Sequence, residues 1–331
     1  MRVAFDSRPV TDPRGVGRHT RYLLGALHQT AKAGTHIIET HQPRGVDLFH
    51  SPWVQGAMLR SPCPMVVTLH DLVALRRPSE YLRTGARFRL RDLAVQRAMR
   101  VIVPTYALAN EAVSRLGIDP ERLTVIPEAP SVSMYRRDAQ EIEVVRRRLR
   151  LPERYLVWVG SLLHSEPRKH LVKLAQAERE LPLVLVGPTR PWAQELPNVV
   201  LTGRVSDEDL AAIYSGAQAL VLPSHEGSGL PAIEALACGT PVAACDAPTL
   251  REVLDGRADF VGAGDLCALV QVAQTASPPP NDTRAWSWAD AARATWSAYE
   301  TALARTGTVC SRPRVPQRRR RHSPGALRAR Q

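Results

Sequence analysis

The residue types best suited to chemistry in this chain lie in a glycine-rich loop between a predicted strand and a predicted helix. An apolar run ends at Pro223, and the helix is expected to begin at Leu230 with a proline in its first turn. The backbone N–H groups of Gly229 and Leu230 would point outward at this helix N-terminus, where the helix dipole stabilises anions. The loop is therefore predicted to bind a phosphate group.

Two carboxylates bracket this loop, Glu226 within it and Glu234 about one turn into the helix. A phosphate would repel both side chains, so sugar hydroxyl groups, which donate hydrogen bonds to carboxylates, are better partners for them. A purely structural interpretation stays open from these residues alone. In that interpretation Glu226 is a solvated surface residue, and the helix dipole stabilises Glu234.

A second segment suited to anion binding follows the predicted strand 155–159. Gly160 and Ser161 end this strand, and Arg168 and Lys169 follow a few residues later. The glycine allows the backbone to approach a ligand closely, and the two cations could neutralise a diphosphate without a metal ion. Taken alone, an arginine and a lysine at a helix start are more often part of a solvated surface.

Two further segments place glycine and histidine at the ends of predicted strands. Gly15 and Gly17 form a Gly-x-Gly turn between a strand and a helix near the N-terminus, and His70 follows the strand 65–69. A single Gly-x-Gly turn is weak evidence, because this one does not extend to a dinucleotide-binding fingerprint. His70 could contact a ligand or only cap its strand.

These residues lie where short apolar runs end, and the runs alternate with segments of helical periodicity. The strand candidates are 2–6, 46–50, 65–69, 100–104, 123–126, 155–159, 183–187, 198–202, 218–222 and 241–244. The helical segments are 88–98, 105–116, 138–150, 208–215, 264–276 and 287–304. The alternation predicts βα units around parallel sheets, in which ligands bind at the carboxyl ends of the strands.

The predicted fold class is α/β, with two Rossmann-like doubly wound domains facing each other across a cleft. Prolines flank an Arg/Glu-rich helix between the two groups of strands, which indicates a domain boundary. One large open sheet is the alternative. The predicted organisation is an N-terminal domain 1–130, a linker 131–153, a second domain 154–280, a terminal helix 281–305 packing back across the domains and a disordered basic tail 306–331.

The net charge of +12 is concentrated in the predicted tail, whose eight arginines are accompanied by no acidic residue. Without the tail the chain carries only +4, which is far less basic than a typical nucleic-acid-binding protein. The longest apolar runs are strand-length, so no transmembrane helix is predicted. Five cysteines without metal-ligand spacing, and an N-terminus without a signal-peptide pattern, predict reduced thiols in the cytoplasm.

The segment from Glu226 to Glu234 resembles the signature of family 4 glycosyltransferases, which are retaining enzymes of the GT-B fold. Seven residues separate the two glutamates, Glu-Gly-x-Gly-Leu-Pro begins at the first, and Ala-Cys-Gly-Thr-Pro-Val follows the second. The resemblance implies that Glu226 contacts the transferred sugar and that Glu234 contacts the ribose of the donor. Ser228 departs from the family, which often has an aromatic residue there.

The remaining segments resemble the same family, over roughly residues 1–304. The resemblance implies that domain 1–130 is the acceptor-side domain and that domain 154–280 binds the nucleotide sugar. The turn at Gly160 is similar to the diphosphate-binding loop, the Gly-x-Gly turn to the one that approaches the donor across the cleft, and 202–210 to the loop that reads the nucleobase. The resemblance implies catalytic roles for Glu226, His70, Arg168 and Lys169. It implies donor contacts for Gly15, Gly17, Gly160, Ser161, Val205, Gly227, Ser228, Gly229, Leu230 and Glu234.

The predicted function is retaining transfer of a hexose to a glycan or lipid-linked acceptor. Gly-Val-Gly-Arg-His-Thr and Thr-Leu-His-Asp-Leu resemble the O-antigen mannosyltransferase branch, so GDP-mannose is the first choice of donor and a UDP-sugar the second. Neither a metal ion nor another cofactor is implied, and the tail is expected to contact anionic lipid at the inner membrane face. Two alternatives stay open, a catalytically idle sugar-nucleotide-binding protein of this fold and a basic nucleic-acid-binding protein.

Overall fold

The computed structural model describes residues 1–72, 85–165, 169–224, 229–278 and 286–309. In the helical segments 85–88 and 306–309 only the backbone is described. The predicted site residues outside the described part are Arg168, Glu226, Gly227 and Ser228. The tail from 310 onward also lies outside it, so the roles predicted for these residues stay predictions.

Six parallel strands form the first sheet, in the spatial order β2-β1-β3-β4-β5-β6. They are β1 Arg2–Phe5, β2 His36–Glu39, β3 Leu48–Ser51, β4 Met65–Thr68, β5 Arg100–Val103 and β6 Leu123–Val125. The register places Ala4 beside Phe49, and Phe49 beside Met65. β3 and β4 are buried along their whole length, which is typical of a parallel sheet covered by helices on both faces.

The second sheet also has six parallel strands, in the order β12-β11-β10-β7-β8-β9. They are β7 Leu156–Val159, β8 Leu183–Val186, β9 Val199–Gly203, β10 Ala219–Leu222, β11 Val242–Cys245 and β12 Asp259–Val261. β8 and β11 are fully buried and lie on either side of the central pair β7 and β10. Both halves of the chain therefore repeat one architecture.

Helices connect the strands and cover the sheets. They are α1 Gly15–Thr30, α2 Gly85–Gln96, α3 Tyr106–Leu116, α4 Ala139–Leu149, α5 Leu171–Gln176, α6 Asp207–Gly216, α7 Leu230–Ala237, α8 Pro248–Leu254, α9 Leu266–Thr275 and α10 Trp288–Val309. Their ends follow local chemistry: the Thr105 hydroxyl accepts a hydrogen bond from the Leu108 N–H at the start of α3. Gly117, with φ of 62°, ends the same helix in the left-handed conformation.

Apolar cores lie on both faces of each sheet. On one face of the first sheet, Leu27 of α1 packs with Trp296 and Tyr299 of α10. The last helix of the chain thus completes the core of the N-terminal half, although it follows the second sheet in sequence. On the other face of the first sheet, Phe49 packs with Leu108 and its neighbours.

The predicted fold class, α/β with two doubly wound domains, is confirmed, and the alternative of one large open sheet is wrong. Two short edge strands, β2 and β12, were not predicted. α10 continues to Val309, past the predicted start of the tail at 306. In the described part of the chain, no helix is both long and apolar enough to cross a membrane. The four cysteines described are free thiols.

Candidate active site

The carboxyl ends of strands from both sheets open onto one cavity of about 720 Å³. In each sheet the chain leaves two neighbouring strands in opposite directions, β1 and β3 in the first sheet and β7 and β10 in the second. Such switch points leave a crevice between the connections, and ligands of open α/β sheets bind there. The volume is within the range of small-molecule and cofactor pockets.

Most of the described residues of the predicted site line this cavity. They are Gly15, His70, Gly160, Ser161, Lys169, Val205, Gly229, Leu230 and Glu234. Gly17 is not among the described residues that line it. Instead, Gly17 lies in the first turn of α1, where a Cβ atom would be only 1.9 Å from the Asp12 carbonyl oxygen. This close approach is a structural reason for glycine at that position.

The turn after β7 holds a positive charge at the edge of the cavity. A Cβ atom on Gly187 would lie 1.9 Å from the carbonyl oxygen of Gly160, so the two connections pack backbone against backbone. The Lys169 ammonium donates a hydrogen bond to the Ser161 carbonyl oxygen at 2.9 Å and lies 5.9 Å from the centre of the Trp158 ring. This arrangement suits an anionic ligand.

The N-terminus of α7 faces the same cavity. Gly229 precedes the helix with φ of 81°, a left-handed conformation that side chains disfavour. A Cβ atom there would also come within 3.0 Å of the Val253 side chain. Glycine has no side chain that could cap the helix, so no side chain at this position covers the first N–H groups of α7. Gly229 and Leu230 line the cavity, so the positive end of the helix dipole lies at its wall, as expected for a phosphate site.

Three ionisable side chains cluster in the cavity wall of the first domain. Oε1 of Glu128 lies 3.0 Å from Nδ1 of His19 and 3.5 Å from Nδ1 of His70. Glu128 and His70 line the cavity, whereas His19 packs behind His70 with the ring centres 4.4 Å apart. Nε2 of His70 donates a hydrogen bond to the Pro52 carbonyl oxygen at 2.9 Å. The predicted site histidine is thus anchored on both ring nitrogens.

Burial and the hydrogen bonds between these side chains shift their pKa values in opposite directions. Burial disfavours a charged Glu128, but hydrogen bonds from His19 and His70 hold the pKa of this carboxyl well below its ordinary value. Burial lowers the pKa of His19. Burial also acts to lower the pKa of His70, but the hydrogen bond and charge of Glu128 outweigh it and raise that pKa.

The same cluster has the composition of a metal site. One nitrogen of each histidine and one carboxylate oxygen all lie within 4.8 Å of one another. Among the described residues this is the one group of three such side chains with that spacing. The hydrogen bonds and opposite charges of the cluster account for this packing without a metal ion.

An arginine of the first domain reaches across the cleft to the second. Nη2 of Arg18 lies 2.7 Å from Oε1 of Glu234 and 3.1 Å from Oδ1 of Asp207. Tyr22, one turn further along α1, donates a short hydrogen bond to the same Asp207. The approach to Glu234 is a charge contact rather than an aligned hydrogen bond, because its Oε1 accepts no hydrogen bond from the described residues.

Glu234 is almost completely buried, with 1% of its surface exposed. The Tyr214 hydroxyl donates a long hydrogen bond to Oε2 at 3.5 Å. Burial raises the pKa of Glu234 to about 7, and the nearby Arg18 opposes this shift only in part. The charge of this carboxyl therefore changes near neutral pH.

Sequence reasoning did not single out Arg18, His19 or Glu128. Arg18 and His19 directly follow the Gly-x-Gly turn, within the first two turns of α1. A helix that begins at the carboxyl end of a strand presents its first residues to the cleft, which was the available signal. Glu128 follows the end of β6, which is also at the carboxyl edge of the first sheet.

Two doubly wound sheets whose carboxyl ends share one cavity define a protein of the GT-B glycosyltransferase type. A model described as Glycosyltransferase Family 4 matches residues 5–129, and one described as Glycosyl transferases group 1 matches residues 153–276. Together they cover most of the chain, which belongs to the family 4 glycosyltransferases.

Three curated relatives are mannosyltransferases by name. The chain is 25% identical over 71% of its length to the serotype-specific mannosyltransferase WbdA of Escherichia coli, covering 32% of that protein. It is 31% identical over 60% of its length to the MMP α-(1→4)-mannosyltransferase of Mycolicibacterium hassiacum, covering 53%. It is 26% identical over 60% of its length to the O-antigen chain mannosyltransferase RfbU of Salmonella typhimurium, covering 57%. The chain thus spans about a third to somewhat over half of these relatives.

Solved structures share the fold. The sucrose-phosphate synthase of Thermosynechococcus elongatus superposes with a TM-score of 0.65 at 20% identity, over 94% of this chain and 98% of that one. Anabaena HepE in complex with UDP-glucose superposes with a TM-score of 0.64 at 18% identity, over 94% and 99%. At these identities the likeness establishes the architecture alone.

Proposed function

We propose that this protein transfers a hexose, with retention of configuration, from a nucleotide-diphosphate donor to a glycan or lipid-linked acceptor. The observation that carries the proposal is the shared cavity, which brings Lys169, the N-terminus of α7 and Glu234 together at the carboxyl ends of both sheets. Cation, helix dipole and carboxylate are the groups that a diphosphate and a ribose need.

In this proposal the donor lies along the second domain. The diphosphate binds between Lys169 and the N–H groups at the start of α7. Arg168, which precedes Lys169 in the sequence, supplies a second positive charge. The ribose hydroxyls donate hydrogen bonds to Glu234, and the nucleobase lies against the backbone near Val205. Glu226 in the preceding loop contacts the transferred sugar, and His70 approaches it from the first domain.

The reaction that fits these groups is a front-face substitution. The acceptor hydroxyl attacks the anomeric carbon from the side on which the diphosphate leaves, so a new C–O bond forms as the sugar–phosphate bond breaks. The proton of the acceptor hydroxyl passes to the departing phosphate oxygen. Arg168, Lys169 and the helix N-terminus stabilise the charge that builds on that phosphate. Because these groups supply the positive charge, the proposal includes no divalent cation or other cofactor.

Mannose is the first choice of sugar. The names of WbdA, RfbU and the MMP enzyme, all mannosyltransferases, support GDP-mannose as donor. The UDP-glucose bound to HepE supports a UDP-sugar as the second choice. The acceptor is a glycan or a lipid-linked sugar, met at the cytoplasmic face of a membrane.

A panel of nucleotide sugars tests the proposal by thermal shift. GDP-mannose, UDP-glucose, UDP-galactose and the free nucleotides are added one at a time, because a bound ligand stabilises the folded protein by mass action. We expect the largest rise in Tm with GDP-mannose, and a smaller rise with every ligand in the variant Lys169→Gln. The absence of any shift at millimolar nucleotide sugar would contradict the proposal. Tight binding without release of nucleotide in the presence of sugar acceptors would favour a catalytically idle protein.

A further inference from the structure

The buried carboxylate of Glu128, beside the predicted site histidine, has no part in the function proposed so far. Glu128 and His19 are 8% and 7% exposed, and both contact the wall that carries His70. Burying an ionised carboxylate is costly unless it is paired and hydrogen-bonded. Its position therefore needs an explanation in terms of what it does for the neighbouring histidines.

The hydrogen-bond partners fix where the protons lie. Nε2 of His70 faces the carbonyl oxygen of Pro52, which can only accept, so this nitrogen carries a proton. Nδ1 of His70 faces the Glu128 carboxylate, which favours a second proton on the ring. Both contacts favour the doubly protonated imidazolium form of His70, in which the two N–H bonds point in fixed directions.

His19 differs from His70 in its second nitrogen. Nδ1 of His19 donates to Glu128 at 3.0 Å, but its Nε2 is buried and has no partner in the described part of the chain. A charged His19 would bury an unsatisfied N–H donor, which is unfavourable. These contacts favour a neutral His19, so that the charge of Glu128 is balanced by His70 alone.

We propose that Glu128, anchored by His19, is a positioning residue that holds His70 as an oriented imidazolium at the sugar end of the donor cavity. This inference rests on the proposed function for the identity of the ligand. The contact from Nδ1 of His70 to Glu128 is long, at 3.5 Å, whereas the contact to Pro52 is 2.9 Å. A hydroxyl of the bound hexose can therefore take over the Nδ1–H bond while Glu128 continues to balance the charge.

An imidazolium donor forms a stronger hydrogen bond than a neutral ring. The bond from His70 to the hexose hydroxyl would thus depend on pH, and His70 must be protonated for it to form at full strength. Other ionisable groups also face this ring: His19 on α1, His50 on β3 and the adjacent Asp71. The Glu128 carboxylate is the group that lies against Nδ1 of His70, at 3.5 Å.

The decisive experiment is an NMR titration of the histidine ring protons in protein treated with EDTA. The His70 signal is assigned by its loss in His70→Gln. In the wild type we expect His70 to titrate above the ordinary histidine pKa and His19 to stay neutral over the same range. A wild-type His70 that titrates at or below the ordinary pKa would overturn the proposal. This measurement needs no transferase activity. A contradicting titration would therefore leave the proposed function standing, and a failure of the proposed function would leave the titration result standing.

The variant Glu128→Gln keeps the size of the side chain but removes its charge. The midpoint for His70 should fall, because burial then acts without a compensating anion. The matched control is Glu39→Gln, which removes the carboxylate of an exposed pair whose oxygen lies 3.7 Å from Nε2 of His28. This control should leave the His70 titration unchanged, and an equal midpoint in all three proteins would contradict the positioning role.

Kinetics and metal binding provide two further readouts. For Glu128→Gln we expect kcat/KM to fall on the order of tenfold at pH 8, with its alkaline limb shifted to lower pH. Binding of the free nucleoside diphosphate, which lacks the hexose, should change little. Loss of nucleotide binding and turnover together at every pH would indicate a merely structural residue. If stoichiometric Zn²⁺ binds the EDTA-treated protein and shifts both histidine signals, the cluster is a metal site and the proposal is wrong.

Discussion

Arg18 of the first domain lies 2.7 Å from the carboxylate of Glu234 in the second, so the two domains share a charge contact inside the cavity between the sheets. Glu234 is the carboxylate proposed to bind the donor ribose. For the ribose to bind, its hydroxyl groups must therefore displace Arg18 from the Glu234 carboxylate. The diphosphate of the donor then offers Arg18 a new anionic partner. In the proposed function, the Arg18 side chain thus takes part both in the contact between the domains and in donor binding.

The variant Arg18→Gln should weaken binding of a nucleoside diphosphate by roughly tenfold, because one charge-assisted contact is lost. Binding of the nucleoside without phosphates should be affected much less. Isothermal titration of both ligands measures the difference. Arg115→Gln, in an exposed pair on α3, is the matched control and should bind as the wild type does. Tighter diphosphate binding by Arg18→Gln would show that Arg18 only competes for Glu234.

The pKa of Glu234 predicts how stability varies with pH. Burial raises this pKa from an ordinary 4.5 to about 7, so between these values the folded state binds more protons than the unfolded state. The contribution of this group to stability is therefore present at low pH and is lost as the pH rises through 7. Glu234→Gln removes this pH dependence. Relative to the wild type, its free energy of unfolding should rise by about 1–3 kcal/mol as the pH is raised from 5 to 8.

Thermal unfolding of both proteins at several pH values measures this difference. Glu195→Gln, at an exposed position, is the control and should follow the wild type. Parallel curves for the wild type and Glu234→Gln would mean that Arg18 compensates the carboxylate fully.

Glu226 lies outside the described residues, and its proposed contact with the sugar rests on the sequence signature. Glu226→Ala should lower kcat by about a hundredfold or more while Tm stays near the wild-type value, since loop residues seldom support the core. Glu195→Ala serves again as the control. Turnover near the wild-type rate would rule out the assigned contact.

The eight arginines of the predicted tail are expected to bind an anionic membrane surface, which a truncated chain can test. A truncated chain that ends at Val309 keeps α10, whose Tyr299 is buried in the core of the first domain. Near an anionic surface each arginine contributes on the order of 1 kcal/mol to binding. We expect truncation to reduce sedimentation with anionic liposomes, but not turnover on a soluble acceptor. Equal sedimentation of both chains would show that the tail is not a membrane tether.

The sequence predicts the central strands well, because buried parallel strands such as β4 and β8 are continuous apolar runs between turn residues. β2 and β12 were missed for the opposite reason. Both are partly exposed and include charged or polar residues, so neither forms the continuous apolar run that marks a buried strand.

The turns at Gly160 and Gly229, which line the cavity, were also predictable, because a glycine after a strand or before a helix has a local signature. The charge clusters were not. Glu128 and His19 are 109 residues apart, and Arg18 and Glu234 belong to different domains. Such pairs come together only when the two sheets and their connections are packed, and a single sequence holds no local pattern for them.

Proton NMR of GDP-mannose turned over by the protein in EDTA tests the central claim most directly. Water or a simple mannoside can act as acceptor, and early spectra record the anomer before it equilibrates. The account predicts release of GDP with α-mannose or an α-mannoside formed first, without added metal, and loss of this activity in Lys169→Gln. A β-anomer as the first product, or turnover that returns only when Mn²⁺ or Mg²⁺ is added, would contradict it.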